Sequence, residues 1–463
     1  MAVIQTMRAD EESEAPPPTL TGIEVSGLLG QFNHIVKFNA DSEFVILHGP
    51  NGVGKTKFLE LIAATFSPKV GKLRSIPFSS ARFAFSDGTL LVVSKGEGEQ
   101  LALIDVPEES PIVFRLSLPG TEDIVWNAGM YGDLDPRYIR MLERENDLIR
   151  IGPNIWRDAR TGEIVDIQEL SYKNLRLTPR ALREMRDAAS TMPGPIKKFL
   201  ESLEIHLIET QRLLNAHPRP RRRDESDPQQ ATVLEFSQDL IRRIKEAQAQ
   251  NSRISQQLDR KFPRRLLHNR IRPIEATEEN IRQRYNEQGE LRKRLAAVSL
   301  LDTSDELPLP EGKMDDWQCL VLWNYLDDTQ KKLATFSPLL DRVELFTEIV
   351  NSRFLHKKIV IDRDRGLTFI TTQTGTTIVP DQLSSGEQHE LVLVYDLLFN
   401  TKENSLVLID EPEISLHVSW QQAFLSDIIR IANLTSLRFI IATHSPQIIH
   451  TWWSRAVALA PQD

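Results

Sequence analysis

Residues 44–66 read FVILHGPNGVGKTKFLELIAATF: an apolar run, a glycine-rich turn, then a helical pattern. Phe44 to Leu47 is β-prone. The turn Gly49-Pro50-Asn51-Gly52-Val53-Gly54-Lys55-Thr56 fits GxxxxGK[ST], and Phe58, Leu59, Ile62 and Phe66 share one side of the following helix. Strand, glycine turn and helix together are the context in which this pattern is a phosphate-binding loop. Glycines let successive backbone N–H groups curl around phosphate oxygens, and the helix N-terminus adds positive dipole. Lys55 is the residue to reach the β- and γ-phosphates, and Thr56 supplies a hydroxyl to Mg2+.

Chemistry to match this loop lies at the other end of the chain. Ser405 to Glu411 reads SLVLIDE, a buried parallel strand with an acidic pair at its C-terminal end, where open α/β sheets place ligands. Asp410 suits Mg2+ binding, directly or through water, and Glu411 suits polarising an attacking water. At 383–388 the chain reads LSSGEQ and opens the apolar helix HELVLVYDLLF, with Ser384 placed as an N-cap. The run IIATHSPQII spans 440–449 and carries His444.

LSSGEQ resembles the signature motif of ABC-type ATPases in the form used by SMC-like proteins. Gly386 and Glu387 match, and Ser385 stands where a glycine is more usual. IIATHSPQII resembles the switch-histidine strand of the same family, and SLH (415–417) its D-loop. His444 follows Glu411 by 33 residues and Asp410 follows Gly386 by 24, intervals suited to one ABC half-site. The resemblance implies ATP and Mg2+ as cofactors. It implies Glu411 as the residue aligning water and His444 as the sensor of the γ-phosphate. Ser384, Ser385, Gly386 and Glu387 become nucleotide contacts made across a homodimer, or a higher assembly of dimers. The family also needs a glutamine after a strand to meet Mg2+ and water. Gln211 in IHLIETQRLL is the candidate, with Gln100 and Gln168 as alternatives.

Lys55 and Ser384 stand 329 residues apart, so a small lobe and a helical insertion must fill the interval. That fits the SMC-like branch that includes RecF and the OLD (overcoming lysogenisation defect) ATPases. The insertion is too short for condensin-type arms. The phrase VSGLLGQFNHIVKFN…VILHGPNGVGKT resembles ATPase subunits of bacterial anti-phage systems such as PARIS and Septu. Nineteen residues follow His444, so we expect no fused Toprim nuclease of the kind OLD nucleases carry. The expected function is therefore an ATPase that senses and scaffolds, controlling a separately encoded nuclease or toxin. A RecF-like DNA repair ATPase is the alternative, and a transporter engine a third, disfavoured reading.

The expected fold is α/β: an ABC-type P-loop ATPase head, with a mixed β lobe and a parallel-sheet lobe, interrupted by a helical domain with a short coiled-coil hairpin. We expect a disordered tail at 1–18, the N-terminal half of the head at 19–215, the helical insertion at 216–352 and the C-terminal half of the head at 353–463. Residues 74–118 read as a β meander around an Asp87-Gly88 turn, and 133–204 as mostly helix and loop. Leu240, Ile244, Ala247, Asn251, Ile254 and Leu258 form a heptad seam, which Pro263 is expected to end. A second arm runs from about Glu278 to Ala297. The turn between the arms is basic, with Lys261, Arg264, Arg265, His268, Arg270 and Arg272, and Arg219, Arg221, Arg222 and Arg223 precede it. DNA or partner contact and a solvated charged face are both open readings.

The 463-residue chain carries a net charge of −9, which argues against a histone-like coat for nucleic acid. Its one cysteine, Cys319, excludes an intrachain disulfide and reads as a buried core thiol in a reducing compartment. No run of 18 uncharged apolar residues encodes a membrane span, and a cytoplasmic location is expected.

Overall fold

The computed structural model describes residues 18–38, 42–96, 112–128, 143, 148–152, 155–159, 162, 164–166, 192–209, 228–268, 273–302, 308–378, 382–414 and 416–459. These fall into two compact units, one drawn from Met1–Thr210, Glu403–Glu413 and Leu437–Asp463, the other from Gln211–Lys402 and Ile414–Ser436.

Among the described residues the first unit holds a six-stranded antiparallel sheet, in the order Phe32–Lys37, Leu20–Leu28, Ser80–Phe85, Leu90–Lys95, Ile112–Ser117, Ile124–Ala128. The expected hairpin around Asp87-Gly88 is its centre, Ser80–Phe85 against Leu90–Lys95, but the sheet extends beyond the expected meander to Leu20–Leu28 and Phe32–Lys37 on one side and Ile124–Ala128 on the other. LALIDV (101–106), read as one of its strands, lies outside the described residues. A five-stranded parallel sheet follows the order Ile205–Glu209, Leu406–Asp410, Arg438–Thr443, Phe44–His48, Ala456–Ala458. Helix Lys55–Phe66 buries Phe58, Leu59, Ile62 and Phe66 in a core shared with Phe83 of the antiparallel sheet and with Leu408 and Ile440 of the parallel one. The reading of 133–204 as helix and loop needs correction. Leu148–Gly152, Ile155–Asp158 and Ile164–Asp166 pair as a small antiparallel sheet around the fully buried Trp156. Each is only three to five residues long, and LIRIG and IWRD mix apolar and charged residues without the clean run that marks IHLIE.

The second unit is helical, with one small sheet of Lys357–Asp362, Gly366–Thr371 and Thr377–Ile378. Its helices are Pro228–His268, Glu278–Ala297, Asp316–Ala334, Ser337–Arg353, Ser385–Tyr395 and Val418–Thr435. Both expected arms are present as helices but not as the expected coiled-coil hairpin: each packs chiefly against helix Asp316–Ala334 rather than against the other. Asn251 of the heptad seam donates to the carbonyl of Lys332 (2.7 Å), and Gln288 of the second arm to that of Leu326 (2.7 Å). Cys319 is buried beside Ile281 and Leu326, as expected. Pro263 does not end the first arm, which continues to His268. Proline deletes one helical hydrogen bond. The segment is held from both sides of that break, by the Asp259–Lys332 pair at 2.7 Å and by the Arg265–Asp328 pair. The fold is α/β: a unit of one antiparallel and one parallel sheet sharing a core around helix Lys55–Phe66, and a helical unit contributed largely by the middle of the chain.

Helix Ser385–Tyr395 carries a buried carboxyl, Glu390, opposite the Arg353–Asp427 ion pair of helices Ser337–Arg353 and Val418–Thr435. Burial pushes Glu390 up to about 7, Arg353 opposes the shift and Asp427 adds to it. Between its ordinary 4.5 and 7 the folded chain keeps a proton that the unfolded chain loses. Stability from this site therefore falls as pH rises through that window. Glu390→Gln should stabilise the second unit by up to about 3 kcal/mol above pH 7 and by little below pH 4.5. Guanidinium unfolding of both proteins at pH 5 and pH 8 checks this. A gap of equal size at both values would show that Glu390 does not titrate there.

Candidate functional site: a phosphate loop beside a Glu–His pair

Three neighbouring parallel strands build the site. Thr443 lies in register with His48, and Ala442 with Asp410. The loop after His48, the acidic pair after Ile409 and the histidine after Thr443 therefore all leave the same, C-terminal edge of the sheet.

The glycine loop closes onto helix Lys55–Phe66. Gly54 caps that helix at φ 89°, a left-handed conformation, and a Cβ there would meet Leu28 Cδ2 at 3.0 Å. At Gly49 a Cβ would fall 2.5 Å from the carbonyl oxygen of Leu459. Pro50, Asn51 and Gly52 are exposed at the loop's tip, Val53 is buried beneath it, and Thr56 is half-buried at the helix start. Lys55 is 5% exposed and donates from Nζ to the carbonyls of Gly49 (2.9 Å) and Pro50 (3.2 Å). His34, buried in strand Phe32–Lys37, donates from Nε2 to the carbonyl of Val53 (3.0 Å) and stands edge-on to Phe58.

Asp410 ends its strand half-buried. Glu411 follows at φ 45°, unusual for a residue with a side chain, while its N–H still donates to the carbonyl of Ala442 (2.8 Å). The Glu411 carboxylate stands 3.6 Å from Nδ1 of His444. Glu413 is nearer. Its Oε1 lies 3.1 Å from Nδ1 and accepts from Thr443 Oγ1 (2.7 Å), His444 N (2.9 Å) and Ser445 N (3.2 Å). Two residues that sequence reasoning passed over thus support the site. His34 had a signal, an inward position on a strand close to the loop. Glu413 had one as well, a second acid two residues past Glu411.

The signature segment belongs to the second unit. Ser384 is the N-cap of helix Ser385–Tyr395 and forms a capping box. Its Oγ accepts from Glu387 N (3.3 Å), and Glu387 Oε2 accepts from Ser384 N (2.7 Å). Lys357 Nζ also donates to Glu387 Oε2 (3.0 Å), so the Glu387 side chain is committed within the fold. Ser384 and Ser385 are exposed and Gly386 half-buried. Gln211, with its alternatives Gln100 and Gln168, lies outside the described residues, as do Ser415 of the D-loop segment and, of the basic residues, Arg219, Arg221, Arg222, Arg223, Arg270 and Arg272. Lys261, Arg264 and His268 are exposed, whereas Arg265 is taken by Asp328.

No group of three His, Cys, Asp or Glu able to hold a metal occurs among the described residues. The hydroxyl of Thr56 and the carboxylate of Asp410 are hard oxygen donors at one sheet edge. They fit Mg2+, which takes one or two protein ligands and completes its shell with water and phosphate. No helix among the described residues is long and apolar enough to cross a membrane.

Solved structures that resemble the chain include three SMC heads. One is the Smc head domain with an extended coiled coil bound to the C-terminal domain of ScpA, derived from Pyrococcus furiosus (12% identity, 96% of this chain and 94% of that chain, TM-score 0.36). The second is the SmcHead bound to the C-winged helix domain of ScpA (10% identity, 95% and 94% covered, TM-score 0.36). The third is the SMC head domain from Thermotoga maritima (11% identity, 94% and 92% covered, TM-score 0.31). No curated protein matches the chain. A family model described as "AAA domain, putative AbiEii toxin, Type IV TA system" matches residues 201–450, a stretch that takes in the signature segment, the acidic strand and His444. That match spans more than half of the sequence, and the chain belongs to this AAA-domain family.

Proposed function

We propose that the chain is an ATP-binding and ATP-hydrolysing ABC-type ATPase that works as a homodimer or an assembly of dimers. It uses ATP to hold and release a separately encoded effector, a nuclease or toxin, in bacterial anti-phage defence. The observation that carries the ATPase reading is the facing of Glu411 and His444, 3.6 Å apart, on the sheet edge from which the phosphate loop springs. The toxin-system wording of the family description supports the defence reading.

In this mechanism the loop N–H groups and the Lys55 ammonium hold the β- and γ-phosphates. Thr56 and Asp410 hold Mg2+, which when bound neutralises phosphate charge. Glu411 aligns the water that attacks the γ-phosphorus, and His444 contacts the γ-phosphate. Gln211 follows Glu209 by two residues, and Glu209 pairs with Asp410 in the parallel sheet, which supports Gln211 as the further contact to metal and water. Ser384, with Ser385 and Gly386, completes the site of a second copy. Phosphoryl transfer of this kind is positioning and charge stabilisation, with little covalent work for the protein. A RecF-like DNA-repair role is the second reading, favoured by the exposed Lys261, Arg264 and His268. Co-purification with the product of the neighbouring gene, followed by mass measurement, separates the two. An effector bound in one nucleotide state supports defence control, whereas a chain that purifies alone and binds duplex DNA in a salt-dependent way supports repair.

Lys55→Ala removes the phosphate-binding ammonium and should weaken ATP binding roughly 10–100-fold in a fluorescent-nucleotide titration. Glu411→Gln should bind ATP normally and lose turnover by roughly 10²–10⁴-fold in a phosphate-release assay, because only water alignment is lost. Turnover near wild type would remove Glu411 from the mechanism. Ser384 should act across the dimer. Chains carrying Ser384→Arg, mixed with chains carrying Lys55→Ala, form dimers with one intact site and should recover ATPase activity above either alone. Mixed dimers without recovery would argue against a shared site.

A further inference from the structure

We propose that Glu413 is the positioning residue of His444, holding the ring with Nδ1–H turned inward and Nε2 turned out towards the substrate. The inference rests on the reading of His444 as the γ-phosphate contact. The geometry itself is independent of that reading.

One oxygen of Glu413 gathers the Thr443 hydroxyl, the His444 and Ser445 N–H groups and His444 Nδ1, all within 3.2 Å. The Glu413 side chain is 7% exposed and Thr443 is fully buried, so the hydroxyl bond forms away from water, while the His444 side chain reaches from this buried acid to the surface at 45% exposure. Converging donors of this number call for an anionic acceptor, since charge-assisted bonds are about twice as strong as neutral ones. The backbone bonds fix where the histidine leaves the strand, and the carboxylate oxygen 3.1 Å from Nδ1 is the group that can set how its ring is turned. Glu411 is not the ring's partner, because its oxygen at 3.6 Å is beyond hydrogen-bond range of Nδ1.

The consequence is chemical. A neutral imidazole has one donor and one acceptor nitrogen, and the bond made by one nitrogen decides the role of the other. With Nδ1–H given to Glu413, Nε2 is the nitrogen presented outward. It accepts in the neutral ring and donates in the protonated one. Glu411 keeps its own carboxylate for water, so the two acids divide the work. Glu411 acts on the nucleophile and Glu413 acts only through His444.

The test uses the full chain labelled with 15N-histidine, at pH 8 and without nucleotide, with His444→Gln to assign the signal. We expect wild-type His444 to carry its proton on Nδ1, and Glu413→Gln to move the proton to Nε2 while other histidines stay unchanged. Glu413→Gln keeps size and a neutral acceptor for the backbone N–H groups but removes the negative charge that favours a proton on Nδ1, so the fold should survive while the tautomer changes, and its thermal midpoint reports whether the fold does. In the phosphate-release assay the same variant should lose kcat roughly 10–100-fold with KM for ATP unchanged. A purely structural residue would instead lower the midpoint and leave the tautomer as it was. His444 protonated on Nε2 in the wild type, or an identical spectrum for Glu413→Gln, overturns the proposal. If the tautomer changes as expected but the wild-type chain hydrolyses no ATP, the positioning stands and the ATPase reading fails.

Discussion

Strand Arg438–Thr443 is wedged between the phosphate-loop strand Phe44–His48 and the acidic strand Leu406–Asp410, and the site depends on that parallel ladder. Its register sets Thr443 beside His48 and Ala442 beside Asp410. Because side chains alternate along a strand, a slip of Arg438–Thr443 by one residue would turn its side chains to the other face and carry His444 out of reach of Glu411 and Glu413. Spacing among the candidate groups is thus set by backbone hydrogen bonds in a buried sheet, which are the stiffest rulers a protein has. Glu411 shows the cost of leaving this ruler. It turns to φ 45° at the strand's end, a strain on the order of 1–3 kcal/mol, yet its N–H stays tied to the carbonyl of Ala442.

Inside the second unit, the signature helix links two things that the proposed switch needs. Its N-terminus is the Ser384–Glu387 capping box. At its other end Phe236 stacks on Tyr395 with centroids 4.3 Å apart, and the Tyr395 hydroxyl donates to Asp239 Oδ2 (2.8 Å). Both contacts belong to the base of the long arm Pro228–His268. Burial first, then the bond to Asp239, holds the phenol proton well above its ordinary range. Burial works against the Asp239 carboxylate. Bonds from Arg243, Tyr395 and Arg242 outweigh it and keep the group below its usual range. Phenol as donor and carboxylate as acceptor are therefore stable roles. A helix with the Ser384–Glu387 capping box at one end and the arm anchored at the other would give the proposed switch a lever.

Local elements were legible in the sequence to within a residue where period and punctuation agreed. Phe44 to Leu47 was expected and Phe44–His48 found; IHLIE and the arm Glu278–Ala297 appear as read. His34 and Glu413 were visible as candidates, but their partners were not legible, for a physical reason. His34 acts 19 positions away on Val53, and Glu413 acts 30 positions away on Thr443. Their roles arise only once the sheet order decides which strand ends are neighbours, and no local pattern carries that order. Pro263 misled because a helix is judged locally by its hydrogen bonds, whereas ion pairs from Asp259 and Arg265 to helix Asp316–Ala334 hold this one through the break.

The loop shows the same economy as the Glu413 cluster. Lys55 already lies within its curve, donating to the carbonyls of Gly49 and Pro50, and His34 steadies the carbonyl of Val53 from below. In the proposed function, phosphate binding would exchange bonds to neutral carbonyls for charge-assisted bonds to oxyanions, with little conformational freedom left to lose. Glu413 does for the histidine what these carbonyls do for the lysine. In each case a charged or titratable group is held by acceptors of the fold, so that the side facing the substrate is the side left to act.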